Sequence, residues 1–307
     1  MSVFVKQQHT VCDFSSSDSW VILSPIEQSI KRKIESVGTP LKDWDINIYR
    51  GVLTGCNEAF IISTEKRDEI LANCETEEER TRTSELIRPI LRGRDIKRYG
   101  YDWANLWLIY IPWHFPYQFD ESIQGASEKA EKAFMEQYPA VYAHMLQYKE
   151  PLSKRNKAET GIRYEWYAMQ RWGAKYWEDF SKPKIMYPNM TKFMPFYYDE
   201  KQFFQNDKSF MITGPNIAFL TAFLNSSLFK FCFIDNFPEL LGGTRELRKI
   251  FFDKISVMKI SDEVNKEFIE LINDIQKEYT IEKPSILMNG FLIFILFQKE
   301  KGKLLVL

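Results

Sequence analysis

Short β-rich segments are interspersed with helical segments along this chain of 307 residues, and this mixture most constrains its fold. Ser24, Pro25 and Glu27 predict a helix start, because serine can cap a helix, proline suits the first helical position and glutamate completes a capping box. Residues 45–63 alternate in character and are rich in β-formers, which is typical of strands. The two kinds of segment follow no regular βαβ rhythm. We therefore predict an α+β fold of twisted mixed sheets with interspersed helices.

The sequence pattern divides the chain into three regions. Residues 1–19 are polar and predict a flexible leader, residues 20–260 predict the main domain, and residues 261–307 predict a C-terminal helix with an apolar tail. The helix at 262–280 carries an apolar stripe formed by Val264, Phe268, Leu271, Ile275 and Tyr279. That spacing suits packing against a partner helix as well as against the chain's own body.

Two features bear on the cellular compartment. The apolar run at 285–297 is interrupted by Asn289 and Gly290 and is too short to span a membrane, so a buried strand or hairpin is favoured and no membrane partner is expected. The four cysteines are far apart and form no C-x-x-C pair, which signals no zinc site. Free thiols of this kind fit a cytoplasmic protein.

Charge is segregated along the sequence, although the net charge is only −1. Acidic residues dominate 65–79, and arginine and lysine dominate 80–98. Near-neutrality argues against a non-specific DNA coat protein, because phosphate neutralisation makes such proteins basic. A sequence-specific DNA-binding module is compatible with this charge if its cations are clustered.

The segment GVLTGCNEAF at 51–60 combines two glycines with short polar side chains. Gly51 and Gly55 permit a positive φ or a close approach of the backbone to another surface. Asn57 can form two hydrogen bonds with adenine, and Thr54 can contact a base or a phosphate. The structural alternative is a tight connection between two strands, in which Asn57 bonds its own backbone.

The segment LRGRDIKRY at 91–99 places four cations around a turn at Gly93. The cations are Arg92, Arg94, Lys97 and Arg98. Contacts of this kind to phosphates would position a protein on a duplex without reading its bases. A solvated basic loop that pairs with the preceding acidic stretch is an equal alternative.

Further candidates for DNA contact lie in three later loops. In the run at 149–175, basic residues are interleaved with aromatic residues and an amide, which suits both phosphate and base contact. The loops at 187–192 and 242–248 carry polar and cationic side chains after apolar segments, and ordinary surface loops are the alternative for both. The candidate residues of the three loops are Arg155, Arg163, Gln170, Arg171, Asn189, Lys192, Thr244 and Arg245.

Four segments taken in order carry a family resemblance. They are GVLTGCNEAF at 51–60, IRPILRGRDIKRY at 87–99, WYAMQRWGAKYWEDFSKPKIMYP at 166–188 and ITGPNIAFLTAFLNSSLF at 212–229. With these gaps, residues 20–280 resemble the target-recognition (TaqI-like specificity) domain at the C-terminal end of type IIG restriction–modification enzymes.

The resemblance implies a chain that reads double-stranded DNA for an adjoining adenine methyltransferase and nuclease, and whose long helices dock on that catalytic partner. It also implies no cofactor on this chain, since S-adenosylmethionine and magnesium belong to the catalytic partner. In the family the methyltransferase flips the target adenine out of the base stack.

Catalytic motifs are missing from the sequence. Neither an N-P-P-Y string nor a Gly-rich cofactor loop is present, and the three histidines are scattered. Glu85, Asp95 and Lys97 form one formal match to a metal-dependent nuclease, which is the less favoured alternative. A stand-alone DNA-binding or interaction protein left by a decayed gene is the other alternative. We expect the chain alone not to be an enzyme.

Overall fold

The computed structural model describes residues 24–281, in which helices and short strands are interspersed, and the predicted α+β class is confirmed. The α-helices of this part are α1 (Pro25–Val37), α2 (Asn57–Phe60), α3 (Thr64–Ala72), α4 (Glu77–Leu86), α5 (Glu128–Gln137), α6 (Pro139–Leu146), α7 (Lys149–Lys154), α8 (Ile217–Leu224), α9 (Ser227–Phe233), α10 (Lys249–Phe252) and α11 (Asp262–Ile281). The strands are β1 (Thr39–Pro40), β2 (Asn47–Arg50), β3 (Ile61–Ser63), β4 (Ile87–Leu91), β5 (Ile96–Lys97), β6 (Gly100–Tyr101), β7 (Leu106–Ile109), β8 (Lys184–Pro188), β9 (Met190–Thr191), β10 (Tyr197–Asp199), β11 (Phe204–Gln205), β12 (Ser209–Thr213), β13 (Glu239–Leu240), β14 (Thr244–Glu246) and β15 (Ser256–Val257). The predicted leader at 1–19 and the apolar run at 285–297 lie outside the described residues.

Helix α1 begins as its sequence predicts. The Ser24 hydroxyl accepts a hydrogen bond from the Glu27 N–H at 3.3 Å, and the Glu27 carboxylate accepts one from the Ser24 N–H at 2.6 Å. These reciprocal bonds are the predicted capping box, and they satisfy backbone donors that the first helical turn leaves unpaired.

Three sheets organise the described residues. The central sheet is antiparallel and has the order β10-β8-β12-β2. The second sheet has the order β11-β4-β7-β3, in which only the pairing of β11 with β4 is parallel. A small sheet joins β13, β14 and β9, and the pairs β1–β15 and β5–β6 complete the strand pairing.

The central sheet is buried on both faces. Ile185, Tyr187 and Ile212 belong to a first core with residues of α1, α8, α9 and α11, whereas Met211 belongs to a second core with the second sheet and residues of α5, α6 and α7. Met186, between Ile185 and Tyr187, lies in a smaller cluster with Leu91 and Ile96. Because side chains alternate between the two faces of a strand, one sheet supplies both cores.

The C-terminal helix α11 packs against the chain's own body. Phe268 and Ile272 are buried in the first core, and Val264 and Ile275 are partly buried against it. The buried stripe therefore uses Ile272 where the sequence pattern predicted Leu271. Docking of a long helix on a catalytic partner stays a prediction.

No helix among residues 24–281 is by itself long and apolar enough to cross a membrane. The bent pair Ile217–Leu224 and Ser227–Asn236 reaches that length and composition only jointly. Most residues of α8, the first member of this pair, are buried in the fold.

A fully buried ion pair links two strands of the central sheet. Lys184 and Asp199 are both inaccessible to solvent, and the Lys184 ammonium lies 2.6 Å from a carboxylate oxygen of Asp199. Lys184 also donates to the Phe180 carbonyl at 2.7 Å, and Asp199 accepts from the N–H groups of Lys201 and Phe203, each at 3.0 Å. Burial lowers the pKa of Lys184, and the Asp199 charge opposes that shift.

We predict that Lys184→Met lowers the free energy of unfolding by about 3–5 kcal/mol, because it leaves the Asp199 charge buried without its partner. The double variant Lys184→Met/Asp199→Asn removes both charges and is expected to be more stable than the single variant. Urea unfolding followed by tryptophan fluorescence measures both. A double variant less stable than Lys184→Met would contradict the assignment.

Candidate nucleic-acid interface

The first and third sequence motifs meet in one cluster of loops. Leu53 and Arg171 exchange two backbone hydrogen bonds, at 2.9 and 2.8 Å, and the Gln170 N–H donates to the Thr54 carbonyl at 3.4 Å. Residues 53–57 and 170–171, here called the reading cluster, therefore lie side by side although they are far apart in sequence. This places Thr54, Gln170 and Arg171 together, which the sequence alone did not predict.

The two glycines of the first motif are required by this arrangement. A Cβ at Gly51 would lie 2.2 Å from the Asn206 carbonyl oxygen, so only glycine permits the observed approach of the two backbones. Gly55 has a φ of 75°, which favours glycine, and a Cβ there would lie 2.9 Å from the Gln170 side-chain oxygen. Both expected uses of glycine, close approach and positive φ, are thus confirmed.

Thr54 is a buried member of the reading cluster that orients a neighbouring side chain. Its side chain is buried, and its hydroxyl donates to the Asn57 side-chain oxygen at 2.7 Å. Asn57 is exposed at the start of α2, so Thr54 orients Asn57 rather than offering its own hydroxyl at the surface. The connection runs from a strand of the central sheet through α2 to a strand of the second sheet, so the alternative of a tight strand-to-strand connection is wrong.

The turn around Gly93 uses Arg92 internally. The Arg92 guanidinium binds both carboxylate oxygens of Asp95, at 2.9 and 2.8 Å, and the same carboxylate accepts the Arg92 backbone N–H. This pairing raises the pKa of Arg92. The partner is within the turn itself, so the expected pairing with the preceding acidic stretch is not the one that Arg92 forms.

The other cations of this turn differ in availability. Arg98 donates to the Asn225 carbonyl, and the Lys97 ammonium donates to the Arg94 carbonyl at 2.5 Å. Arg94 is exposed, and within residues 24–281 no side-chain partner of its guanidinium is found. Of the four predicted phosphate contacts in this turn, Arg94 is therefore the one whose charge is free to face an anion.

Arg155 connects separate segments of the chain through hydrogen bonds to their backbone carbonyls, and it is here called the clasp. Its guanidinium donates to the Thr54 carbonyl at 2.6 Å, to the Trp166 carbonyl at 3.1 Å and to the Ala168 carbonyl. Burial lowers its pKa. These bonds join Thr54 of the reading cluster to Trp166 and Ala168, which precede the cluster's Gln170 and Arg171 in the chain. Arg155 is therefore better placed to position that cluster than to contact DNA. Arg163, in contrast, is exposed and lies 3.7 Å from Glu159.

The predicted loops at 187–192 and 242–248 come together in the small sheet. The Leu247 N–H donates to the Asn189 carbonyl at 2.8 Å, and Thr191 pairs with Arg245 between β9 and β14. Lys192 is exposed, and its ammonium lies 3.8 Å from the position that a Cβ would take at Gly242.

Arg245 is held at the base of this sheet. Its guanidinium donates to the Phe237 carbonyl at 2.8 Å and lies 2.9 Å from Asp235 and 3.0 Å from Glu239. Its side chain is only 14% exposed, and neighbouring Thr244 is half-buried. Arg245 was a candidate for DNA contact, but its charge is used inside the fold.

One end of the central sheet brings these segments together. In its register, Arg50 at the end of β2 pairs with Phe210, and Pro188 at the end of β8 pairs with Ser209 at the start of β12. The reading cluster, the small sheet and the turn at 206–208 therefore continue from the same end. Lys208, which the sequence patterns did not single out, is exposed in that turn.

The Gly93 turn adjoins the same end. The Lys208 carbonyl accepts from the Asn189 N–H at 2.9 Å and lies 2.8 Å from the position of a Cβ at Gly93. Arg94, Lys192 and Lys208 are thus exposed cations on adjoining loops. A polar turn between two strands, NDK at 206–208, was the available sequence signal for Lys208.

The nuclease alternative finds no support in this geometry. Both carboxylate oxygens of Asp95 are engaged by Arg92, and Asp95 is buried. Glu85 is exposed near the end of α4. Within the described residues, no group of three or more His, Cys, Asp or Glu side chains is placed to hold a metal ion.

Comparison with known proteins finds a matching family model and a similar methyltransferase. A family model described as the TaqI-like C-terminal specificity domain matches residues 88–257, which is more than half of the chain. The type II methyltransferase M.MjaIV of Methanocaldococcus jannaschii is 22% identical over 234 residues, which cover 73% of this chain and 69% of that protein.

Two solved structures are also similar. The type IIG restriction endonuclease BpuSI aligns with a TM-score of 0.50 and 14% identity, over 81% of this chain and 28% of that chain. The type IIL restriction-modification enzyme MmeI, solved in complex with DNA, aligns with a TM-score of 0.47 and 12% identity, over 80% of this chain and 29% of that chain. The chain spans less than a third of either structure, and the likeness to BpuSI shows a shared fold.

We predict that Arg155→Met lowers the free energy of unfolding by about 1–3 kcal/mol, because internal carbonyls lose a charged hydrogen-bond donor. Arg163→Met is the matched control, since Arg163 is exposed, and it should change stability by less than about 0.5 kcal/mol. Thermal and urea unfolding of both variants test this. Equal stability of the two variants would show that the clasp contributes nothing.

Proposed function

The chain belongs to the TaqI-like C-terminal specificity domain family, and from that premise we propose that it recognises a DNA target sequence for a restriction–modification enzyme. The observation that carries the proposal is the convergence of the reading cluster, the small sheet and the Gly93 turn at one end of the central sheet. Recognition of a duplex needs both phosphate contacts and base contacts, and these segments offer side chains for each.

Exposed cations on the adjoining loops would supply the phosphate contacts. Arg94, Lys192 and Lys208 are exposed, and Lys208 forms an ion pair with Asp207 at 3.3 Å, whereas the charges of Arg92, Arg155 and Arg245 are satisfied inside the fold. A cation that is held by internal partners gains little from a phosphate, because it must first lose those partners. A chain with a net charge of −1 can therefore bind a duplex through a few exposed cations at one end.

The reading cluster would supply base contacts. Asn57, Gln170 and Arg171 lie on adjoining segments, and their side chains have the donors and acceptors that match base edges in the major groove. Asn189, just before β9, and Thr244, in β14, carry similar groups, with less exposure than Asn57 and Arg171. Direct contact of these residues with DNA is part of the proposal.

The parent system that we propose is a type IIG, adenine-methylating enzyme. The catalytic methyltransferase and nuclease, with their S-adenosylmethionine and magnesium, would lie in an adjoining domain or subunit. The name of M.MjaIV, a type II methyltransferase, supports a methyltransferase context, and the adenine specificity rests on the sequence resemblance. On this proposal the isolated chain neither methylates nor cuts DNA.

We predict that Arg94→Gln weakens binding to all duplexes alike and lowers the salt dependence by about one unit per lost phosphate contact. Lys132→Gln on α5 is the matched control, since Lys132 is 73% exposed and belongs to none of the interface segments. Fluorescence anisotropy of labelled duplexes across a salt series measures both variants. An unchanged salt slope for Arg94→Gln would make its turn a solvated loop only.

We predict that Gln170→Ala or Arg171→Ala relaxes one position of the recognised sequence. Each good bidentate contact contributes about 1–3 kcal/mol of discrimination against the wrong base, so losing one should level the preference at that position. Selection of bound duplexes from a randomised pool, followed by sequencing, compares the variants with the parent chain.

Arg245→Ala is the contrasting variant in this selection. Its guanidinium is used inside the fold, so it should lower thermal stability before it changes the selected sequence. Variants of Gln170 and Arg171 that keep the parent sequence preference would remove the reading cluster from base recognition. A parent chain that enriches no sequence would argue against recognition by this chain alone.

A further inference from the structure

The two most exposed large apolar side chains of the described residues lie on the small sheet. Leu241 is 99% exposed at the turn between β13 and β14, and Phe193 is 83% exposed just after β9. Exposure of single apolar side chains is ordinary, but two almost bare ones on paired segments are not accounted for by packing within the chain. Both lie among the loops proposed to contact DNA.

The segment that carries Leu241 is a narrow hairpin. Strands β13 and β14 pair in register, with Glu239 opposite Arg245 and Leu240 opposite Thr244. Gly242 and Gly243 turn the chain with φ of 74° and 77°, and no atom lies within 4 Å of a Cβ placed at Gly243. The tip is therefore a thin piece of backbone with Leu241 as its most exposed apolar side chain, next to the less exposed Leu240, and this shape suits a groove better than a flat protein surface.

Arg245 fixes this hairpin to the body. Its bonds to the Phe237 carbonyl, Asp235 and Glu239 lie below the tip, and Thr191 of β9 pairs with it on the other side. The single charge of Arg245 offsets one of the two acidic residues, and Lys192, whose ammonium lies 3.8 Å from a Cβ placed at Gly242, supplies a second cation beside the tip.

We propose that Leu241, assisted by Phe193, inserts into the base stack of bound DNA and separates one base step. The inference rests on the proposed function and adds a mechanical role to it. Apolar side chains that enter a base step unstack it and kink the duplex, and the energetic cost is offset by the surface that the bent DNA then buries. The narrow shape of the tip, the Lys192 ammonium beside it and its place among the loops proposed to contact DNA favour DNA over an apolar protein partner as the occupant.

Insertion between base pairs unwinds a duplex, and this unwinding can be measured without knowledge of the target sequence. Relaxed closed-circular plasmid is saturated with the chain, treated with topoisomerase I and deproteinised, and its linking number is measured. Binding to the same plasmid sequence is measured in parallel, so that unwinding is expressed per bound molecule. The variants are Leu241→Gln and Phe193→Gln, with Met135→Gln on α5 as a matched control for an exposed apolar side chain.

We expect the parent chain and Met135→Gln to unwind the plasmid equally, and Leu241→Gln to reduce the unwinding per bound molecule by about twofold or more. Because all three positions are exposed, melting temperatures should stay close to that of the parent. Binding without unwinding, or equal unwinding by the parent and Leu241→Gln, would overturn the insertion while leaving DNA recognition standing.

Two further outcomes concern the binding of the parent chain to the plasmid and its oligomeric state. A parent chain that does not bind the plasmid would overturn the proposed function, and the insertion with it. If sedimentation equilibrium shows that the parent chain is a dimer and Leu241→Gln a monomer, the apolar tips form an interface between two copies of the chain. The inference then fails.

Discussion

Burial of the central sheet on both faces is the constraint on which the rest of the structure depends. Neighbouring residues such as Ile185 and Met186 point to different clusters, so a shift of one residue in register would exchange the contents of the two sides. The register is therefore strongly specified, and with it the positions where β2 and β8 end and β12 begins. The candidate interface is attached at those ends, so its loops inherit their relative positions from the packing of the sheet.

The arginines that bind groups within the fold are not available to a ligand, so internal hydrogen bonds determine which cations can contact one. The cations at 91–99 and 149–175 were candidates for DNA contact, yet Arg92 pairs with Asp95 and Arg155 binds carbonyls of distant residues. Each guanidinium offers several fixed donors, so one arginine can join segments that no backbone pairing connects. The cost of leaving those carbonyls unsatisfied keeps such an arginine in place.

Local features of the fold could be predicted from the sequence, and long-range ones could not. The capping box at Ser24 and the positive φ of Gly55 follow from residue chemistry at one place in the chain. The pairing of Leu53 with Arg171 and of β2 with β12 joins residues more than a hundred positions apart, and alternation within each strand does not name its partner. For the same reason the sequence marked the loops of the interface but not which cations would be free, and it did not single out Lys208.

The way the reading cluster is assembled separates stability from recognition. Leu53 and Arg171 are joined through their backbones, and Arg155 holds the Thr54 carbonyl rather than a side chain. The exposed side chain of Arg171 contributes little to this framework, because surface substitutions away from buried contacts change stability only slightly, whereas the Asn57 side chain also accepts a hydrogen bond from the buried Thr54 hydroxyl. A different side chain at Arg171 would therefore meet the same backbone geometry. A scaffold of this kind allows the groups that face a ligand to change while the sheet, the clasp and the close approach at Gly51 stay fixed.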